Sequence, residues 1–471
     1  MAEGSGGRYD IVVLGGGSGG YACALRAAEL GKRVALIEKD KVGGTCLHRG
    51  CIPTKALLHA AEIADQTRES AKFGIKAALE GIEMPGVLSY QESVVDRLWK
   101  GLQSTIASRK IDTIIGDGRL TSPTSVRMDD TVYEADHVVL ATGSEPRSLP
   151  GLDIDGTRVI TSDEALRLDR VPGSVIILGG GVIGVEFASV WRSFGADVTI
   201  VEMLPQLLPL EDESSAKQLQ RVFRRRGISF ELNAMFESVK HSDVGVIVTL
   251  EGGKTLEAEL LLVAVGRGPV SSGLGYEENG VALDRGYVMV DELCRTGVPT
   301  ISAVGDLVAL QDRGHPQLAH VGFAEGILVA ERVSGLDIHP IDYDGVPRIT
   351  YSDPEVASVG LTSAQIAERG LEVVEVNYPL GANGRSVILQ TQGHAKVIAE
   401  AAGADGHPGR VLGIHLVGSR VGELIAEGQL IYNWDAEPDD VAALIHPHPT
   451  QSEIIGEAHL ALAGKPLHFH S

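Results

Sequence analysis

At 471 residues, with 44% hydrophobic and 22% charged content, the chain has the composition of an ordinary soluble globular protein of about three domains, large enough to need no disulfide staples. Its formal charge of -22 disfavours a nucleic-acid partner, and no run of about 18 apolar residues offers a membrane span. Glycine, at 58 residues, is in excess without any G-x-y period, as tight turns and close backbone approaches in nucleotide-binding α/β folds require.

The N-terminus, Met1 to Tyr9, is short, polar and glycine-rich. It carries neither the apolar stretch of a secretory signal nor an Arg-rich leader, which predicts a cytoplasmic address. Tyr9-Asp-Ile-Val-Val-Leu-Gly-Gly-Gly-Ser-Gly-Gly20 then reads as a buried strand entering a glycine turn. A helix pattern follows through Ala22, Ala24, Leu25, Ala28 and Leu30, and a second strand, Arg33 to Glu38, ends on an acid.

Gly43-Gly-Thr-Cys46-Leu-His-Arg-Gly-Cys51-Ile-Pro-Thr-Lys55 comes next and opens a helical stretch. Residues five apart on a regular helix are separated by roughly 7.5 Å along the axis and about 140° around it. A disulfide wants its Cα atoms about 4.4–6.8 Å apart. A bridge therefore needs an irregular first turn, which Gly50 and Pro53 can supply, and such a bridge is easily reduced. Two separate thiols remain open on spacing alone, whereas zinc lacks its second ligand pair. Cys23 and Cys294 stand alone and read as inert.

Residues 54–110 predict long helices with turn signals near Gly74 and Pro85. Short strands between Ile111 and Leu140 end at Ala141-Thr142-Gly143, a turn whose backbone can touch a cofactor. Ser174 to Gly184 then repeats the first strand and glycine turn, with a helix and the strand Asp197 to Glu202 behind it. Gly15 and Gly179 lie 164 positions apart, and so do Glu38 and Glu202. Two units in one register predict two dinucleotide sites. In each, the first glycine (Gly15, Gly179) permits the turn and the second (Gly17, Gly181) admits a pyrophosphate. The third (Gly20, Gly184) lets helix and strand close up, and the acid accepts hydrogen bonds from a ribose. Glu202, followed by Met203-Leu-Pro-Gln-Leu-Leu with no Arg, favours NAD over NADP. Val263 to Gly266 reads as the matching strand end, and Thr300 to Asp306 as a further buried strand closing on Gly-Asp. From about Pro347 strands separated by turns predict an α+β domain.

Taken together these motifs, with His446-Pro-His448-Pro-Thr-Gln-Ser-Glu453, resemble the pyridine nucleotide-disulfide oxidoreductase family over nearly the whole chain. The resemblance implies two Rossmann-like domains and a C-terminal α+β dimerisation domain. The expected boundaries are 1–150 for FAD, 151–275 for NAD, 276–346 for a central part completing the FAD site, and 347–471 for a homodimer interface. FAD would be held by Gly15, Gly17, Gly20, Glu38, Lys39, Gly44, Thr45, Lys55, Gly118, Thr142, Gly143, Asp306, Ala319 and His320. NAD would be held by Gly179, Gly181, Gly184, Glu202 and Gly266.

Cys46 and Cys51 would form the redox-active disulfide. Lys55, on its own a surface helix lysine, would pair with Glu186 beside the flavin. His448, on its own a turn residue, would be the acid/base, oriented by Glu453 and supplied by the other subunit. The implied reaction is oxidation of dihydrolipoamide by NAD, on a lipoyl domain or E2 core of a 2-oxo acid dehydrogenase complex. Another NAD(P)H-dependent disulfide reductase of the family is the alternative. A glutathione-type enzyme wants Arg after the second acid, and a mercuric reductase wants a C-terminal cysteine pair, where this chain ends Leu-His-Phe-His-Ser. A quinone reductase or transhydrogenase usually lacks the cysteine pair. A purely structural flavin in a docking subunit is opposed by the complete Cys46, Cys51, His448 and Glu453 set. His48-Arg49, where the family commonly has Asn-Val, and Gly268, where an Arg often follows Arg267, depart from the family pattern.

Overall fold

The computed structural model describes residues 4–310, 314–403 and 406–468, and the sequence readings of residues 1–3 and 469–471 lie outside them. The helices that bear on function are, in chain order, α1 (Ser18–Glu29), α2 (Gly44–Arg49), α3 (Cys51–Glu69), α4 (Met84–Ser108), α5 (Val182–Phe194), α6 (Glu213–Arg226), α7 (Ala319–Val333) and α8 (Glu453–Leu462). The chain groups into two compact units of three stretches each: 1–56, 85–147 and 266–343 in the first, 57–84, 148–265 and 344–471 in the second.

In the first unit the strand Gly4–Leu14 pairs in parallel with Val34–Glu38 on one side and Thr131–Leu140 on the other. Ile11, Val12 and Val13 are fully buried, as befits a strand covered on both faces. Thr131–Leu140 changes partner along its length. Its early residues pair antiparallel with Ser125–Met128, and its last three pair in parallel with Ile301–Ala303. That second pairing delivers the Gly305-Asp306 turn to the carboxyl end of the sheet, where nucleotides bind in open α/β sheets. The same edge holds the start of α1, which presents Gly19, Gly20, Ala22 and Cys23 as a buried face. α7 lies close against it. A Cβ on Gly322 would stand 2.9 Å from Ser18 Oγ, and one on Gly326 2.3 Å from Gly19 O, so only hydrogen fits at either position.

The helical stretch expected over 54–110 contains two long helices, α3 and α4. The break between them runs from the left-handed Gly74 through residues 75–83, and Pro85 follows as the second residue of α4, where a missing N–H costs nothing.

In the second unit a parallel sheet runs in the order Ile228–Glu231, Asp197–Val201, Ser174–Leu178, Leu260–Val263, Val159–Ile160. A three-stranded antiparallel sheet contributes Val246, Val248 and Leu250 to one core with Ile176, Leu178 and Leu261. The α+β domain expected from about Pro347 is a five-stranded antiparallel sheet, Arg348–Thr350, Glu355–Gly360, Val411–Gly418, His394–Glu400, Val373–Pro379. Ile454, Ile455 and Ala458 of α8 join its core. Among the described residues no helix is long and apolar enough to cross a membrane.

Candidate active site

The two glycine turns are built alike. Gly15 and Gly179 sit at φ +106° and +111°, backbone that an L side chain rarely adopts. Each N–H closes the turn on the neighbouring strand, Gly15 on Ile37 O and Gly179 on Val201 O, both at 2.8 Å. A Cβ on Gly20 would lie 1.9 Å from Gly15 O, and one on Gly184 2.0 Å from Gly179 O. A Cβ on Gly17 or Gly181 would meet nothing within 4 Å. These two residues cap α1 and α5 without any side-chain hydrogen bond, so the first-turn N–H groups face an open cradle. A pyrophosphate fits both.

The acids at the two strand ends have a use within the fold itself. Glu38 Oε2 accepts from Gly16 N and Glu202 Oε2 from Gly180 N, each at 2.6 Å. Their other oxygens accept from Asp40 N at 2.9 Å and Leu204 N at 2.8 Å. Each carboxylate therefore braces its own glycine turn and keeps lone pairs for a ribose. Gly17→Ala and Gly20→Ala separate the two roles of the first cradle. Gly17→Ala should leave the urea midpoint unchanged while weakening FAD binding to apoprotein about tenfold or more. Gly20→Ala should destabilise the fold itself by about 1–3 kcal/mol. Equal stability of the two variants would contradict this division.

The cysteine pair occupies the break expected at its first turn, in the form of two helices. α2 carries Cys46 and ends at Gly50, where φ is -147° and ψ -111°, and α3 begins at Cys51. No bridge joins them in this structure; both are thiols. The hydrogen bond to Cys51, then burial, then negative charge on Cys51 hold Cys46 well above the usual thiol range, with Lys55 pulling the other way. The two sulfurs therefore share one hydrogen bond. Cys51, as the first residue of α3, sits where the helix dipole favours a thiolate. Burial pushes Cys23 up to about 12 and raises Cys294 as well, in keeping with inert core residues.

His48 and Arg49 have structural partners. His48 Nε2 lies 3.1 Å from Val42 O and its ring meets Trp99 edge-on at 5.9 Å, while Arg49 stands 3.9 Å from Asp40. Gly268 leaves room for Arg147, whose Nε a Cβ would approach to 2.8 Å.

Other expected FAD residues gather at the same edge of the first unit. A Cβ on Gly44 would stand 2.6 Å from Gly17 Cα, so α2 starts directly against the cradle. Asp306 Oδ2 accepts from Ser144 Oγ at 2.5 Å. Arg267, which the sequence offered only as a landmark, donates to Ser144 Oγ at 2.8 Å and Ser144 O at 2.6 Å, and reaches Thr45 Oγ1 at 3.4 Å. It links the approach to Cys46 with Asp306. Thr142 Oγ1 donates to Val270 O at 2.5 Å and contacts Tyr276 OH at 3.0 Å, and Gly143 O accepts from Val270 N at 2.9 Å, so the turn is tied to residue 270. Ala319 and His320 form the first turn of α7, whose cap Leu318 gives no side-chain hydrogen bond. Lys39 follows Glu38 at the strand end, exposed. Gly118 faces Leu14 and Ile37 side chains, a packing position. Gly266, expected with the NAD set, accepts from Arg147 N at 3.0 Å within the first unit. Fully buried Glu325, with no motif to announce it, accepts from Gly305 N at 2.6 Å and from His315 Nε2 and Tyr343 OH at 2.7 Å. It thereby fixes the Gly305-Asp306 turn.

In the second unit Glu186 is 3% exposed on α5 and accepts from Tyr351 N at 2.9 Å. Lys55 lies on α3 one turn after Cys51. His448 Nδ1 donates to Glu453 Oε1 at 2.8 Å, and Thr450 N donates to Oε2 of the same carboxylate at 2.8 Å. Burial pushes Glu453 up, but the bonds from Thr450 and His448 outweigh it and hold the group below the usual carboxylate range. The His448 side chain is 76% exposed, held at Nδ1 by Glu453.

Residues 9–326 match the model of the pyridine nucleotide-disulphide oxidoreductases, and residues 346–459 match the dimerisation domain of that family. A dihydrolipoyl dehydrogenase of Bacillus subtilis is 40% identical over 98% of this chain and 99% of its own. The mitochondrial dihydrolipoyl dehydrogenase of Pisum sativum is 37% identical over 98% and 92%. Among solved structures, LpdA of Mycobacterium tuberculosis superposes with a TM-score of 0.88 at 29% identity, over 97% of this chain and 99% of that one.

Proposed function

The chain belongs to the pyridine nucleotide-disulphide oxidoreductases, and on that premise we propose that it oxidises protein-bound dihydrolipoamide to lipoamide with NAD as the final acceptor. The observation that carries the reading is the hydrogen-bonded Cys46–Cys51 pair standing beside the open Gly15–Gly20 cradle. FAD would be held by that cradle with Glu38, Asp306 and the first turn of α7, and NAD by Gly179, Gly181, Gly184 and Glu202. Bound there, the two nucleotides carry the electron pair away from the dithiol.

The chain's own residues do the sulfur chemistry. His448 takes the proton of the incoming thiol, and Glu453 fixes the imidazole that receives it. The substrate thiolate attacks Cys46 Sγ. One S–S bond forms to substrate as the Cys46–Cys51 bond breaks, and Cys51 leaves with the electron pair. The second substrate thiol then attacks the substrate sulfur of the mixed disulfide, closing the lipoamide ring as the bond to Cys46 breaks; Cys46 departs with the proton held on His448, and His448 takes up the proton of the second thiol. The pair ends as a dithiol with Cys46 protonated and Cys51 a thiolate. Lys55 and Glu186 are each assigned to the nicotinamide half of the reaction. The working form is a homodimer through residues from about 347 onward, serving a lipoyl domain or E2 core of a 2-oxo acid dehydrogenase complex.

NADH formation from dihydrolipoamide and NAD by purified protein tests the reading. Rapid turnover is expected with NAD. With NADP, kcat/KM should be at least about a hundredfold lower, because the fixed Glu202 carboxylate repels a 2′-phosphate. Flavin reduced by NADH while dihydrolipoamide stays inert would leave the family standing and refute the substrate.

A further inference from the structure

Glu186, Ser189 and Ser193 lie on one face of α5, and all three are buried. The chain just beyond the strand Arg348–Thr350 runs along that face. Tyr351 N donates to Glu186 Oε1, and two residues on Asp353 N donates to Ser189 Oγ, both at 2.9 Å. Arg226, the last residue of α6 and only 16% exposed, closes the arrangement with both arms of its guanidinium. Nη1 donates to Ser189 Oγ at 2.8 Å and to Asp353 O at 2.7 Å. Nη2 donates to Ser193 Oγ at 2.7 Å and to Asp65 Oδ2 at 3.0 Å, and Ser193 Oγ donates to the same Asp65 oxygen at 2.5 Å.

We propose that Arg226 and Ser189 are positioning residues for the nicotinamide half of the reaction, acting on Glu186 through the Tyr351–Asp353 backbone. The idea rests on the assignment of Glu186 above. A glutamate has three rotatable side-chain bonds, and a fixed donor on one carboxylate oxygen selects among its rotamers. That donor is the Tyr351 amide. Ser189 holds the same segment by the Asp353 N–H and Arg226 by the Asp353 carbonyl, so the segment cannot slide along α5 and Tyr351 N stays on Glu186. Arg is required because only a planar fork reaches a hydroxyl and a carbonyl with one arm and a hydroxyl and a carboxylate with the other. The chemistry at Cys46 and Cys51 involves none of these groups. A defect here should therefore split the two half-reactions.

Ser189→Ala and Arg226→Met holoenzymes test this by stopped flow. Flavin reduction by NADH should slow about tenfold, as a small misplacement of a reacting group does, while reduction by dihydrolipoamide stays within about twofold. Arg226→Lys, which restores one arm, should recover part of the loss. Hydrogen exchange of the peptide covering residues 350–354, in apoprotein as well as holoenzyme, should quicken in both variants. Should Arg226→Met not fold, Ser189→Ala decides alone, since it removes a single hydroxyl. Unchanged NADH rates, equal loss in both halves, or unchanged exchange in Ser189→Ala would overturn the proposal. Glu186→Gln is the control. If it slows the NADH step and Ser189→Ala does not, only the clamp fails. If it leaves that step untouched, the assignment of Glu186 falls and the clamp with it.

Discussion

Replacing Cys51 with serine should lower dihydrolipoamide oxidation by roughly four orders of magnitude or more, while FAD stays bound and is still reduced by NADH. Three features of the site demand so large an effect. Cys51 opens α3, so the helix dipole favours its anion, and Lys55 stands one turn along the same helix. Cys46 and Cys51 are hydrogen-bonded to each other, so the two sulfurs are already in reach of one another. A serine hydroxyl can take that hydrogen bond but cannot form the bond to sulfur that substrate must break. The glycine cradle and Glu38 lie on other elements and lose nothing, which is why flavin retention separates this outcome from misfolding. Undiminished turnover in Cys51→Ser would remove the cysteine pair from the mechanism.

What could be read from the sequence divides by distance along the chain. The glycine turns were legible because strand, turn, helix and acid follow one another within about 30 residues and recur in identical register. The double duty of Glu38 and Glu202 was not, because a letter E at a strand end does not say that one oxygen turns back to Gly16 or Gly180. The helix break between the cysteines was legible from disulfide geometry, and Gly50 supplied it. Arg267, Glu325 and Arg226 left no local trace. Their partners at Thr45, Gly305 and Asp65 are 222, 20 and 161 residues away, so pairing becomes visible only when the sheets bring those stretches together. The interleaving of the two units is of the same kind. Residues 57–84 group with 148–265, although the chain passes through the first unit on either side of them.

The acid/base assignment makes the second large prediction. His448→Gln should slow flavin reduction by dihydrolipoamide about 10²–10⁴-fold, the range over which a positioned base contributes, and leave reduction by NADH unchanged. Glutamine can still donate to Glu453 but cannot accept and return a proton. Glu453→Gln should cost less, because the imidazole remains and only its orientation and the charge that stabilises its protonated form are lost. The exposure of His448, 76% of its side chain, adds a sharper test. If the base serves the opposite subunit, a Cys51→Ser subunit and a His448→Gln subunit are each inactive alone. A hybrid dimer of the two then holds one complete site: Cys51 from the second and His448 from the first. Random assembly of equal amounts makes about half the dimers hybrid with one working site in two, so about a quarter of full activity should return. If His448 acts within its own subunit, every combination carries a defect at each site and nothing returns. Activity of the mixture therefore decides where His448 works, without reference to any contact across the dimer.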